Sequence, residues 1–256
     1  MVITDTHAHL YIEAFDQDRD EMIERARSEG IQRFFLPAID SSYTESMLTL
    51  KNSYPEHMHL MMGLHPTHVK PDTYKDELDH VTEMLATGKF VAVGEIGIDL
   101  YWDTSTLDIQ KEAFRHQIDL AKKYKLPIVI HSRESFDEIF DVLEQEAGDD
   151  LFGIFHCFTG SIDQARRAVG LNFKLGIGGV VTFKNGKIDQ FLDKIGLEHI
   201  VLETDSPYLS PVPFRGKRNE SAYIIHVLNK LSDIYRISKE EIAAVTTANS
   251  QEVFNI

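Results

Sequence analysis

A short run rich in Ile, Val and Leu, followed by a longer amphipathic stretch, recurs along the whole 256-residue chain. The short runs are Val2–Thr6, Arg33–Ile39, His59–Leu64, Val91–Ile98, Ile128–His131, Gly153–His156, Lys174–Ile177 and Ile200–Glu203. They show little polar alternation, the pattern of strands covered on both faces. The stretches between them have helical spacing. In Gln110–Lys123, Phe114, Ile118 and Ala121 form an apolar stripe opposite Lys111, Arg115, Asp119 and Lys122. In Glu134–Leu143 the stripe is Phe136, Ile139, Phe140 and Leu143. Ser161-Ile-Asp-Gln reads as a helix start, and Ser238-Lys-Glu-Glu241 as a capping box. Two helices, Tyr223–Tyr235 and Lys239–Ala248, follow the last strand. Eight such strands alternating with helices over about 250 residues predict an α/β chain folded as one (β/α)8 TIM-type barrel with an extra C-terminal helix. That single domain would span residues 1–256. A doubly wound open sheet shares the arithmetic, because strand count alone does not close a barrel.

Composition narrows the partners. Asp and Glu number 41 against 26 Lys and Arg, a net charge of −15. Nothing supplies the broad positive field of a protein that coats nucleic acid. No apolar run nears the ~20 residues that cross a bilayer, so no membrane partner is expected. Met1–Asp5 has no basic segment or apolar core of a signal peptide. The single cysteine cannot pair within the chain and fits a reducing compartment. The expectation is a soluble cytoplasmic protein with no obligate protein partner.

Chemistry collects at five strand ends. Alternate residues of an extended chain face the same way, so His7 and His9 in Asp5-Thr-His-Ala-His9 can address one ion together. Glu95 sits in Gly94-Glu-Ile-Gly-Ile-Asp99, His131 opens His131-Ser-Arg-Glu134, His156 opens His156-Cys-Phe-Thr-Gly160, and Asp205 lies in Glu203-Thr-Asp-Ser-Pro207. A lone strand-end histidine is more often a hydrogen-bonded structural residue, and a lone acid more often a cap or an ion-pair partner. A parallel barrel, however, gathers its strand C-termini at one mouth. Four imidazoles and two carboxylates there exceed one mononuclear site, and two ions are the economical reading. Zinc, manganese, nickel and iron suit such donors, whereas magnesium fits four histidines poorly despite its use by nucleases. Cys157 follows His156 and should face away from the mouth as a small buried hydrophobe. His65, in Gly63-Leu-His-Pro66, could contact a phosphate, donate a proton or be structural. Tyr101-Trp102 could stack on a base or cover a loop. The rim near Arg133 and the cluster Phe214-Arg-Gly-Lys-Arg218 are the basic part of an acidic chain and could clamp a phosphate.

These residues resemble the TatD-type metal-dependent deoxyribonucleases, within the amidohydrolase-like barrel hydrolases. The matching elements run nearly end to end: DTHAHL from Asp5, GLHP from Gly63, GEIGID from Gly94, PIVIHSRE from Pro127, HCFTG from His156, ETDSPYL from Glu203 and PFRGKRNE from Pro213. Their order and spacing together are specific. The resemblance implies a TIM-type barrel, two divalent ions (zinc, manganese, nickel or magnesium) and phosphodiester hydrolysis by a metal-activated water. The implied activity is a 3′-to-5′ exodeoxyribonuclease acting on DNA strand ends or short oligonucleotides. His7 and His9 would hold one ion with Asp205 nearby, Glu95 would bridge, and His131 and His156 would hold the second. Asp205 would take the proton of the attacking water, and hydrolysis would invert configuration at phosphorus. His65 and Arg215 match positions near the substrate phosphate. Glu95 stands where related barrel amidases carry a carboxylated lysine, which points away from that branch. The competing readings are a two-metal hydrolase of another ester, lactone or amide, and a metal-loaded barrel that binds without catalysis.

Overall fold

The apolar runs become eight parallel strands that pair in sequence order. They are β1 (Ile3–Asp5), β2 (Ile31–Leu36), β3 (Met58–Met62), β4 (Ala92–Asp99), β5 (Ile128–Arg133), β6 (Gly153–Phe155), β7 (Phe173–Ile177) and β8 (Ile200–Leu202). The computed structural model describes residues 1–256. Between β8 and β1 the barrel closes through a few bonds: the Thr6 N–H and hydroxyl both donate to the Leu202 carbonyl, at 3.0 and 2.9 Å. Beyond them an isolated parallel bridge joins Ala8 to Ser206. The open-sheet alternative is thereby excluded.

Eight α-helices surround the barrel: α1 (Arg19–Ser28), α2 (Thr44–Ser53), α3 (Tyr74–Leu85), α4 (Leu107–Tyr124), α5 (Phe136–Gln145), α6 (Ile162–Gly170), α7 (Ile224–Tyr235) and α8 (Lys239–Phe254). None is long and apolar enough to cross a membrane. The expected stripes are buried in α4 and α5, with Phe114, Ile118, Ile139, Phe140 and Leu143 inside the core. Ser161 caps α6 in a full capping box with Gln164. Ser238 accepts from the Glu241 N–H at 3.2 Å, so the cap of α8 forms through its serine half. The β7–β8 connection carries only short 3-10 turns, which is why two helices follow β8 while the total stays at eight.

α8 runs six residues past its expected end, for a physical reason. Asn249 donates to the Leu197 and Ile200 carbonyls at 2.8 and 2.7 Å, docking the helix at the start of β8. Its last turn then places Val253 and Phe254 against Phe35, Met61, Ala92, Val129, Ile154 and Val201. Neighbouring positions Phe34, Leu36, Leu60, Met62, Val93 and Ile130 belong to the larger core between strands and helices. By strand alternation the smaller cluster therefore faces the barrel axis, and α8 closes the end of the barrel opposite the strand C-termini. Phe254 stacks on Phe35 at 3.8 Å between ring centres. Phe254→Ala is expected to cost about 3 kcal/mol of unfolding free energy, measured by denaturant titration, because the cavity it leaves cannot collapse.

Candidate metal centre

Each chemistry-bearing side chain reaches the mouth by a different local device. His7 and His9 lie on the extension of β1, held in strand-like register because the His9 N–H donates to the Ser206 carbonyl at 2.8 Å. Glu95 and His131 sit on the adjacent strands β4 and β5. A Cβ at Gly97 would come within 2.2 Å of the His131 carbonyl oxygen, so glycine is what lets β4 lie this close to β5. His156 follows β6 directly. Asp205 follows β8 in left-handed backbone (φ 57), fixed by its N–H to the His7 carbonyl at 2.9 Å. Such strain, held by surrounding bonds, is characteristic of functional positions.

The six predicted ligands do converge, around the Glu95 carboxylate. Its Oε2 lies 3.1 Å from His7 Nε2 and 3.7 Å from His9 Nε2. Its Oε1 lies 2.9 Å from His131 Nδ1 and 3.3 Å from His156 Nε2. Asp205 Oδ1 stands 3.7 Å from His9 Nε2 and 3.9 Å from His7 Nε2. His65 comes closer than expected, with Nε2 3.4 Å from Glu95 Oε1. Donor atoms fall into three compact groups: His7, His9 and Glu95; His7, His156 and Asp205; His65, Glu95 and His131.

Behind the ring stand residues whose role the sequence reading missed. Asp99 Oδ2 lies 2.8 Å from His131 Nε2, and Glu203 Oε1 lies 3.2 Å from His156 Nδ1. The Tyr11 hydroxyl gives its one proton to the Pro37 carbonyl at 2.6 Å, so at 3.0 Å it must accept from His9 Nδ1. That leaves the His9 Nε2 lone pair aimed at the cluster. His68 Nδ1 and Asp40 Oδ2 form a further pair, 2.6 Å apart, at the rim. Alternation could have found two of these, since Asp99 is on the Glu95 face of β4 and Glu203 is two residues before Asp205. Glu203 also needs Gly176, where a Cβ would meet its Oε2 at 2.2 Å.

The electrostatics are those of a pocket short of positive charge. Burial pushes Asp205 up to about 8 and Glu203 up to about 7, against the pull of nearby imidazoles. Burial also lowers His7 and His9, each helped by a neighbouring imidazole. On its own burial would raise Glu95, yet His65, His156 and His7 hold it well below the usual carboxylate range. For His131 burial is outweighed by Asp99 and Glu95, which carry it up to about 9. Both ring nitrogens of His7, His156 Nδ1 and Glu203 Oε2 are buried without a hydrogen-bond partner. Buried donors of this kind are ordinarily paired or coordinated. Orphaned imidazole nitrogens around a shared carboxylate fit divalent cations, and the residues present can hold them.

Three expectations need correction. Cys157 does not face away: β6 ends at Phe155, strand alternation stops there, and Cys157 (φ 44) joins the cavity wall. Burial and then Glu203 push its thiol well above the usual range, which leaves it a poor nucleophile. Arg215 does not line the cavity; its guanidinium lies 3.6 Å from the Phe183 ring centre and donates to the Ser210 carbonyl. Arg218 is committed to Asp18 through bonds of 2.6 and 2.7 Å, so the basic cluster is not a free clamp. Arg133, by contrast, borders the cavity, as do His65 and His68. That cavity holds about 580 Å³, and a separate groove of about 710 Å³ between α1 and α2 contains no histidine.

Residues 4–255 match the family model described as TatD related DNase. An uncharacterized metal-dependent hydrolase of Bacillus subtilis, YabD, is 40% identical over the full length of both chains. Another from Escherichia coli, YjjV, is 32% identical over 98% of this chain and 97% of its own. The crystal structure of YjjV superposes with a TM-score of 0.91, covering 99% of this chain and 98% of the other at 31% identity. A TatD family hydrolase of Entamoeba histolytica, 21% identical, shares the fold with a TM-score of 0.87 over 99% of this chain and 98% of its own.

The donor set makes metal content measurable through stability. A divalent cation at about a hundred times its dissociation constant is expected to add about 2.7 kcal/mol to unfolding. Calorimetry of chelated, zinc-loaded and manganese-loaded protein checks this. Glu95→Gln should lose most of the increment, because both halves of the cluster face that carboxylate.

Proposed function

Because the chain belongs to the TatD-related DNase family, we propose that this metal-dependent hydrolase cleaves the phosphodiester bonds of DNA, removing nucleotides from strand ends in the 3′-to-5′ direction. The observation that carries the reading is the division of Glu95, with Oε2 toward His7 and His9 and Oε1 toward His131 and His156. One carboxylate between two sets of imidazoles suits a bridge between two divalent ions. His7 and His9, with Asp205, would hold one, and His131 and His156 would hold the other. When bound, such ions offset phosphate charge and acidify water.

The chain's own groups do the rest. Asp205 orients the attacking water and takes its proton, being the carboxylate that faces His7 and His9 from across the mouth while Glu95 is occupied on both oxygens. His65 and Arg133 hold nonbridging oxygens of the phosphate from the cavity wall. Asp99 keeps His131 oriented, and Glu203 stands beside His156 Nδ1. The acidic surface favours short contacts at a strand end over a long duplex footprint.

Asp205→Asn is expected to lower turnover about a thousandfold while metal per chain and the fold persist. The measurement is digestion of end-labelled single-stranded DNA, before and after chelation and with metal restored, beside elemental analysis. Activity that survives chelation, or an Asp205→Asn protein near native rates, would overturn the assignment.

A further inference from the structure

Trp102 is the chain's single tryptophan, and it stands 69% exposed at the edge of the cavity that holds Glu95 and His131. Its neighbour Tyr101 is 50% exposed and meets it edge-on, with ring centres 5.0 Å apart. The Arg133 guanidinium lies on the Tyr101 ring at 3.7 Å and 5.5 Å from the Trp102 ring centre. So Tyr101 is covered by a cation, whereas Trp102 turns most of its indole to water. Yet the segment is not loose. Asp99 Oδ1 accepts from the Tyr101 and Trp102 N–H groups at 3.0 and 3.1 Å. The other oxygen of the same carboxylate holds His131, so one side chain ties the backbone that carries the indole to the cluster. Tyr208 and Leu209, both partly exposed, line the same cavity.

We infer that Trp102 is a stacking platform for an unpaired base, and that the substrate enters as a single strand with its terminal base on the indole. The inference rests on the phosphodiesterase reading and adds to it the strandedness of the substrate. An exposed indole on an anchored backbone, beside a cation, offers a π-face and positive charge together, the combination that binds single-stranded nucleic acid without reading sequence. The cavity, about 580 Å³, has the size of a small-ligand site, which suits a terminal nucleotide.

Intrinsic fluorescence tests this directly, because Trp102 is the sole indole. Metal-loaded protein is titrated with a phosphorothioate-linked tetrathymidylate, with the same backbone lacking its terminal base, and with a blunt duplex containing the same strand. Saturable quenching by the single strand is expected, with binding about tenfold weaker for the abasic backbone and for the duplex. Trp102→Ala should lose that discrimination in KM for cleavable strands and Trp102→Phe should keep it, both with native metal content and unfolding temperature. Equal binding of abasic and base-bearing strands overturns the proposal, as does a Trp102→Ala protein that still discriminates. Quenching by an aromatic peptide in preference to the oligonucleotide overturns it too. Quenching without hydrolysis of either end-labelled DNA or a nitrophenyl phosphodiester sinks the nuclease reading and leaves the platform standing. Hydrolysis without base-dependent binding sinks the platform alone.

Discussion

Closure of the barrel between β8 and β1 brings the ends of the first and last strands to one cavity, and a buried carboxylate organises it. Asp5 accepts from the Thr204 N–H at 2.9 Å, the Thr204 hydroxyl at 2.6 Å and the Ser221 hydroxyl at 2.7 Å. Burial nonetheless pushes Asp5 up to about 6. A carboxyl raised in the folded state favours folding most when protonated, and that contribution fades as pH rises through about 6. At neutral pH Asp5 is therefore a cost to stability, and its role is positional. It lies two residues before His7 and bonds the residue before Asp205, so both sides of the cluster are set by one group.

The same logic runs through the centre itself. Five imidazoles and four carboxylates share a largely buried space, and their protonation preferences oppose one another. Burial favours neutral Asp205 and Glu203, favours neutral His7 and His9, and leaves Glu95 charged only because imidazoles surround it. An apolar cluster of the same volume would fold better. The arrangement makes sense as a cavity whose missing interactions are supplied by cations, with Asp99 and Tyr11 aiming ring nitrogens of His131 and His9.

Much of this was legible in the linear chain because a parallel barrel imposes it. Strands covered on both faces must be apolar, and their polar residues can appear only at the ends, which is where His7, His9, His131, His156 and Asp205 lie. The failures come where that rule stops. Cys157 follows the last β6 residue, so alternation no longer applies to it. The β7–β8 connection buries Ile188, Leu192 and Ile195 in short 3-10 turns whose lengths hide any helical period. α8 continues through polar Asn249 because its bonds to the Leu197 and Ile200 carbonyls dock the helix, after which Val253 and Phe254 pack into the barrel. Arg215 and Arg218 looked like a clamp because sequence adjacency cannot reveal that Asp18 and Phe183 claim them first.

Those claimed arginines bear on how so acidic a protein can handle a polyanion. At a net charge of −15 the outer surface repels DNA, but that field fades within about 8 Å at physiological salt. Inside that distance the surface is divided. Arg25 and Arg218 are spent on Asp18 and Glu220, pinning the segment after β8 to α1. Arg133 instead rests on an aromatic ring at the mouth, where its charge is not neutralised by contact with a carboxylate. Positive charge is thus removed from the flank and retained at the entrance. A strand lying along the surface meets acid, whereas a strand end meeting the mouth finds Arg133, the histidines and the indole. Under the proposed nuclease reading, selection for ends over interior positions would follow from where Arg133 sits, without any element built to recognise a terminus.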